Sequence, residues 1–209
     1  MGTYLSEFAT LALIHFLAVM VPGPDFAVTV SQSVRFGRKI GVITALGIGT
    51  GISVHVVYTL LGVGALMHTT PWLMQAARFI GGGYVLYLGW KLIRAKAAQV
   101  EEPSFSESAA VVGYRKAFST GFFTNATNPK ATIFFLAIFT TIVSPSTPLG
   151  IQAFYGAWMC LVNASWFSLV ALFFSHAKVR SSFLRLGHWF ERVMGLVLIL
   201  FALRLLIDI

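Results

Sequence analysis

The amino-acid sequence predicts an all-α, polytopic membrane protein. About six transmembrane helices form two inverted three-helix repeats, with helices one and four broken. Three observations predict this. The chain of 209 residues is 57% hydrophobic and 11% charged, with a mean hydropathy of +0.80, too apolar for a soluble domain of its size. Its basic residues collect in alternate connections, as membrane topology requires. Two apolar segments are interrupted at matching places in the two halves, by Pro22-Gly23-Pro24-Asp25 and by Asn125-Ala126-Thr127-Asn128-Pro129-Lys130.

Span one covers about 6–33 and holds the first interruption. Pro24 lacks a backbone donor and clashes with the preceding turn, so the helix kinks or unwinds there. Span two covers about 40–66, where Gly41, Ala45, Gly49 and Ser53 recur at spacing four. Such a stripe of small residues marks close helix packing. Span three covers about 72–93 and runs into Lys91 and Arg94. The connection 95–114 is polar, with Glu101, Glu102, Pro103, Ser104 and Glu107, and reads as a flexible linker. Span four covers about 116–143 and is broken near Asn128 to Lys130. Span five covers about 149–175 and span six about 187–207. The whole chain, 1–209, is then one transmembrane domain: repeat one about 4–94, a cytoplasmic linker about 95–114, and repeat two about 115–209.

Charge placement gives the orientation. Arg35, Arg38 and Lys39 fall in one loop, Lys91, Arg94, Lys96, Arg115 and Lys116 around the linker, and Lys178, Arg180 and Arg185 before span six. Segments 67–71 and 144–149 hold no Lys or Arg. The basic loops are therefore expected in the cytoplasm and both termini outside. Arg78 is the one mild exception, and a re-entrant span would leave five crossings with the same charge pattern. No Lys or Arg precedes Arg35, so the first apolar stretch is read as a span and not as a signal peptide. Topology also explains the net charge of +8, which leaves nucleic acid without support as a partner. Cys160 is the only cysteine, so neither a disulfide nor a cysteine-based metal site is expected. No cofactor is implied.

The halves correspond in order. Gly41 and Gly47 match Gly150 and Gly156, Pro24-Asp25 faces Pro129-Lys130, and Arg78 with Gly81 matches Arg192 with Gly195. Halves with an odd number of spans insert in opposite senses, which brings both breaks toward the midplane. Depth agrees: Asp25 lies ten residues from Arg35, or ~15 Å of helix, and Lys130 lies fourteen residues from Lys116, or ~21 Å.

Asp25 and Lys130 are the two charges that no loop explains. Each costs at least ~2.5 kcal/mol at a helix centre on insertion scales. A structural ion pair tying the halves together is one reading. A binding or proton-relay site is the other, and broken helices favour it, because unwound backbone at membrane depth occurs where it lines a cavity. A half-helix that starts at a break aims free N–H groups and a positive dipole end at the cavity. One that ends there offers carbonyls. A free amino acid carries a complement to each. Asn125 and Asn128 can donate and accept hydrogen bonds to such a ligand, or satisfy backbone freed by Pro129. His15, His55, Tyr58, Gln32 and Asn163 also lie within spans and read mainly as interhelical hydrogen-bonding residues. Gly47-Ile48-Gly49-Thr50-Gly51 has no preceding strand and is not a phosphate loop.

Pro22-Gly23-Pro24-Asp25-Phe26, Gly41 through Gly64 with His55, and Gly83-Tyr84-Val85-Leu86-Tyr87-Leu88-Gly89-Trp90-Lys91 resemble the LysE/RhtB family of bacterial amino-acid exporters. Asn128-Pro129-Lys130-Ala131 followed by Phe134-Phe135 is similar to that family's second signature. The resemblance covers nearly the whole chain. It implies a secondary transporter of the bacterial inner membrane that exports amino acids or close derivatives in exchange for protons. The functional break residues would carry over to Pro22, Gly23, Pro24, Asp25, Asn128, Pro129 and Lys130. Members often continue with a Pro-Gln-Phe segment where this chain has Val143-Ser144-Pro145-Ser146, so no subgroup substrate is carried over.

The expected partners are an amino-acid substrate, protons and the lipid bilayer, with a homodimer open as an assembly. The rival readings are an exporter of another small solute (a modified amino acid, a lactone or a cation), an intramembrane enzyme and a passive adaptor. An enzyme needs a nucleophile–base pair or metal cluster at membrane depth, and none is evident in the sequence. The topology makes the first prediction. In a Cys160→Ser background, single cysteines at Ser104 and Ser182 should resist a membrane-impermeant thiol reagent in intact cells, and one at Thr70 should label. Reversed labelling would contradict the orientation.

Overall fold

Pro24 and Pro129 each stand at the start of a helix, where the missing N–H would have no intrahelical partner anyway. Two segments that could have been continuous spans are therefore each delivered as two helices. The computed structural model describes residues 2–69, 71–95, 112–144 and 146–207. Their elements are α1 (Gly2–Met20), α2 (Pro24–Phe36), α3 (Arg38–Thr69), α4 (Pro71–Ile93), α5 (Tyr114–Ala126), α6 (Pro129–Thr141), α7 (Leu149–Phe174) and α8 (Ala177–Ile207). All are helical.

Among the described residues, Arg38–Gly62 and Leu149–Phe174 are long and apolar enough to cross a membrane. Tyr4–Met20 and Pro24–Phe36 pass only together, bent by 53° at their break, as a broken span or a re-entrant loop. Phe79–Ile93 and Pro129–Thr141 are shorter apolar helices. The expected spans coincide closely with these helices except at the last. Helix α8 begins at Ala177, well before the expected start near 187. The basic stretch that carries Lys178, Arg180 and Arg185 contains no Gly or Pro before Gly187, so nothing there stops a helix from forming. Most of the expected linker over 95–114, and the positions of Thr70 and Ser104, lie outside the described residues.

Between α2 and α3 the chain turns on the single residue Gly37, at φ 88°. Side chains avoid that conformation, and glycine adopts it freely. The turn presents Arg35, Arg38 and Lys39 to the exterior.

Glycines set how closely the long helices approach. A Cβ at Gly121 on α5 would collide with the Thr44 carbonyl of α3, and one at Gly47 with the Phe118 carbonyl of α5. Helices α4 and α8 cross at Gly89 and Gly195: a Cβ on either would lie 2.8 or 2.6 Å from the other's carbonyl oxygen. The stripe on α3 behaves as its spacing predicts, with Gly41 against Ser33 and Ala171 and Gly49 against Ala164. Close backbone approach of this kind is the main route to tight packing where lipid gives no hydrophobic drive between helices.

Side chains form two apolar clusters. The larger joins α1, α3, α4, α6, α7 and α8 around Leu11, Ile14, Ile52, Phe135, Phe139, Tyr155, Met159 and Leu198. The smaller joins α3 and α7 through Ala45, Ile48, Phe167, Val170 and Phe174, with Phe26 of α2 against it. Glu7 is a buried acid that the sequence reading passed over. Its carboxylate accepts from the Ser144 amide at 2.7 Å and the Thr147 hydroxyl at 2.8 Å, tying α1 to the turn after α6.

Overpacking a tight crossing costs ~1–3 kcal/mol. Gly121→Ala should therefore lower the melting temperature in detergent. Gly83→Ala adds a Cβ that meets no neighbour within 4 Å, and should leave the melting temperature unchanged or raise it. Equal melting temperatures for the two variants would contradict the close α3–α5 crossing.

Candidate functional site

A cavity lies where the two apolar clusters meet. Its walls include Gly23, Pro24 and Asp25 from the first break and Asn125, Asn128 and Lys130 from the second. Together with the solvent it opens on, the empty space amounts to about 460 Å³. The remaining wall is mostly apolar, with Val19, Ile52, Phe134 and Phe167.

The local sequence places each polar group. Helix α2 starts on Pro24 with Gly23 as its N-cap and no capping side chain, and Asp25 stands in its first turn. Helix α6 starts on Pro129 with Asn128 as its N-cap, whose Oδ1 accepts from the Lys130 amide at 3.0 Å. Lys130 stands in that helix's first turn. An acid at a helix N-terminus is favoured by the dipole, and a lysine there is disfavoured. The two breaks are thus built alike and differ in charge.

Each charge is held by the opposite break. Asp25 Oδ2 accepts from Asn125 Nδ2 at 2.9 Å and from Asn128 Nδ2 at 3.3 Å. Lys130 Nζ donates to the Val21 carbonyl at 3.3 Å, in the backbone unwound after α1. Among the described residues the two charges form no direct ion pair. A Cβ at Gly23 would stand 3.4 Å from Lys130 Nζ, in ordinary van der Waals contact with the ammonium. Asp25 Oδ1 and Asn125 Oδ1 are buried acceptors without a protein partner.

All eight residues singled out from the sequence meet at the two breaks. Pro24 and Pro129 start helices and Gly23 is extended, and six of the eight line the cavity, Pro22 and Pro129 standing beside it. Asn128 caps α6, which is the backbone role expected for it, and its amide nitrogen also serves Asp25. Asn125 is wholly buried, and its amide serves Asp25 rather than the local backbone. His55 hydrogen-bonds Tyr58 at 2.8 Å and reaches the Asn125 carbonyl across the helix interface at 2.9 Å. His15 joins Asn163 at 2.9 Å. Both are the interhelical bonds expected. The sequence reading did not connect His15 and Asn163 with the cavity, which both line. The only available signal was two polar residues on apolar spans far apart in the chain.

The fold and this site define a helical membrane protein with a cavity walled by residues of two chain breaks, each followed by a helix that starts on proline. The comparisons agree. A family model described as LysE type translocator matches residues 16–209, and the chain belongs to that family. It is 30% identical to a threonine efflux protein of Salmonella typhi over 98% of this chain and 99% of that one. It is 30% identical to a threonine efflux protein of Escherichia coli K12, again over 98% and 99%. A leucine efflux protein of Klebsiella pneumoniae is 28% identical, over 96% and 97%. No solved structure matches the chain.

The double role of Asn128 makes a prediction. Asn128→Ser keeps an N-cap acceptor and loses the reach to Asp25, whereas Asn128→Ala loses both. The alanine variant should be less stable than the serine variant by about 1 kcal/mol, measured by denaturant unfolding in detergent. Equal stabilities would contradict the cap.

Proposed function

We propose that the chain exports amino acids or close derivatives across the bacterial inner membrane, by exchange for protons, at the cavity between the two breaks. The observation that carries this reading is the pair of opposite charges held across the cavity. Lys130 and the N-terminal ends of α2 and α6 would receive the substrate carboxylate. The open Oδ1 of Asp25 would receive its ammonium. The efflux relatives support the substrate class. Asp25, Asn125, Asn128 and Lys130 would contact substrate or protons, and Pro22, Gly23, Pro24 and Pro129 would keep the backbone open around it.

The reading takes α1–α4 as one repeat and α5–α8 as its inverted partner, with α1–α2 and α5–α6 as the two broken spans. The matched breaks support it. Alternating access would rock one repeat against the other around a fixed site. The basic loops would face the cytoplasm, with both termini outside. Asp25, a carboxyl at midplane depth, would release its proton and as a carboxylate take the substrate ammonium in its place.

Vesicles reconstituted with the purified protein test this. An imposed pH gradient should drive uphill amino-acid movement with substrate-dependent proton flux, and Asp25→Asn should abolish the uphill part. Removing one charged partner leaves the other buried and uncompensated, so folding is measured beside transport. The double variant Asp25→Asn with Lys130→Gln should fold and remain inactive. Restored transport in the double variant would reduce the two charges to a structural role.

A further inference from the structure

The network that holds Asp25 and Lys130 leaves His15 unused. This ring sits on α1, is 1% exposed, and lines the same cavity. Its protonation pattern follows from its neighbour. Asn163 Nδ2 donates to the Met159 carbonyl at 2.9 Å, which fixes that atom as the amide nitrogen. The same Nδ2 lies 2.9 Å from His15 Nε2. An amide nitrogen cannot accept, so Nε2 must. The ring proton then sits on Nδ1. That atom is buried and has no hydrogen-bond partner.

His15 lines the cavity beside Ala18, Val19, Ile52, Phe134 and Phe167 as well as the polar residues of the two breaks, and its unpartnered donor suits an acceptor that arrives with the ligand. The ligand's carboxylate and ammonium already have their counterparts at Lys130 and Asp25. We infer that His15 reads a hydrogen-bond acceptor, such as a hydroxyl oxygen, on the side chain of the transported amino acid. Asn163 is its positioning residue, since it holds the ring in the tautomer that donates. The inference rests on the proposed export function and adds selection among amino acids. An apolar pocket discriminates weakly between a hydroxyl and a methyl of the same shape. A site that hydrogen-bonds the hydroxyl rejects the analogue lacking it far more strongly.

Threonine and valine have the same shape and differ by hydroxyl against methyl, so they are the probes. Transport of each is measured in vesicles reconstituted with the wild-type protein and with His15→Leu. The wild type should prefer threonine by roughly tenfold or more. In His15→Leu the ratio should fall toward unity, with the loss falling on threonine. Asn163→Ala leaves the ring in place but frees its tautomer, and should lower the ratio by less. His15→Gln restores a donor and should recover part of the preference, which also covers the case of a leucine variant that does not fold. Transport of both amino acids at an unchanged ratio in His15→Leu and Asn163→Ala would overturn the inference alone. So would an equal loss of both in each variant. A wild-type protein that moves other amino acids but neither of these would also overturn the inference alone, and one that moves no amino acid would overturn the export reading and this one with it.

Discussion

The structure depends on a crossed set of hydrogen bonds between two interrupted helices. Asp25, at the start of α2, is held by amides from the second break, and Lys130, at the start of α6, by a carbonyl from the first. A direct ion pair would have set each charge against the other. The crossed arrangement satisfies Lys130 with a neutral carbonyl and leaves one oxygen of Asp25 free. Both charges thus remain available to a dipolar ligand while the two breaks stay bound to each other. Lysine in the first turn of a helix opposes the dipole, so stability alone does not account for its position.

Helix packing makes these bonds possible. The Asn125 side chain reaches Asp25 because α5 lies almost against the backbone of α3, an approach that Gly47 and Gly121 permit. His55 bonds the Asn125 carbonyl from α3 and stacks on Phe135 of α6 at 5.5 Å. His15 approaches the edge of the same ring from α1 at 6.2 Å. One aromatic ring thus separates the two histidines and carries packing from α1 to α3 beside the cavity. A polar network inside an apolar bundle is specific only when its members are held this firmly.

Much of this was legible in the sequence because the signals were local. Proline before a charge, twice, predicted both breaks and the two residues of interest. The spacing-four stripe on α3 predicted its close contacts. What the sequence could not supply were pairings between distant residues. Nothing local to His15 points to Asn163, and nothing local to Glu7 points to Ser144 and Thr147. The dual use of Asn128 was hidden because capping and ligand contact each explain an asparagine before Pro-Lys. The early start of α8 was missed because clustered Lys and Arg signal a loop for topology while permitting a helix by propensity.

The central claim is that the free oxygen of Asp25 receives the substrate ammonium while Lys130 and the helix starts receive its carboxylate. Solid-state NMR on the protein in bilayers tests it most directly, with a ¹³C label at the Asp25 carboxyl and ¹⁵N in the amino group of added threonine. The account predicts a dipolar coupling between the two labels at hydrogen-bond range, absent in Asp25→Asn. A bound-threonine signal with no coupling to the Asp25 carboxyl would contradict it.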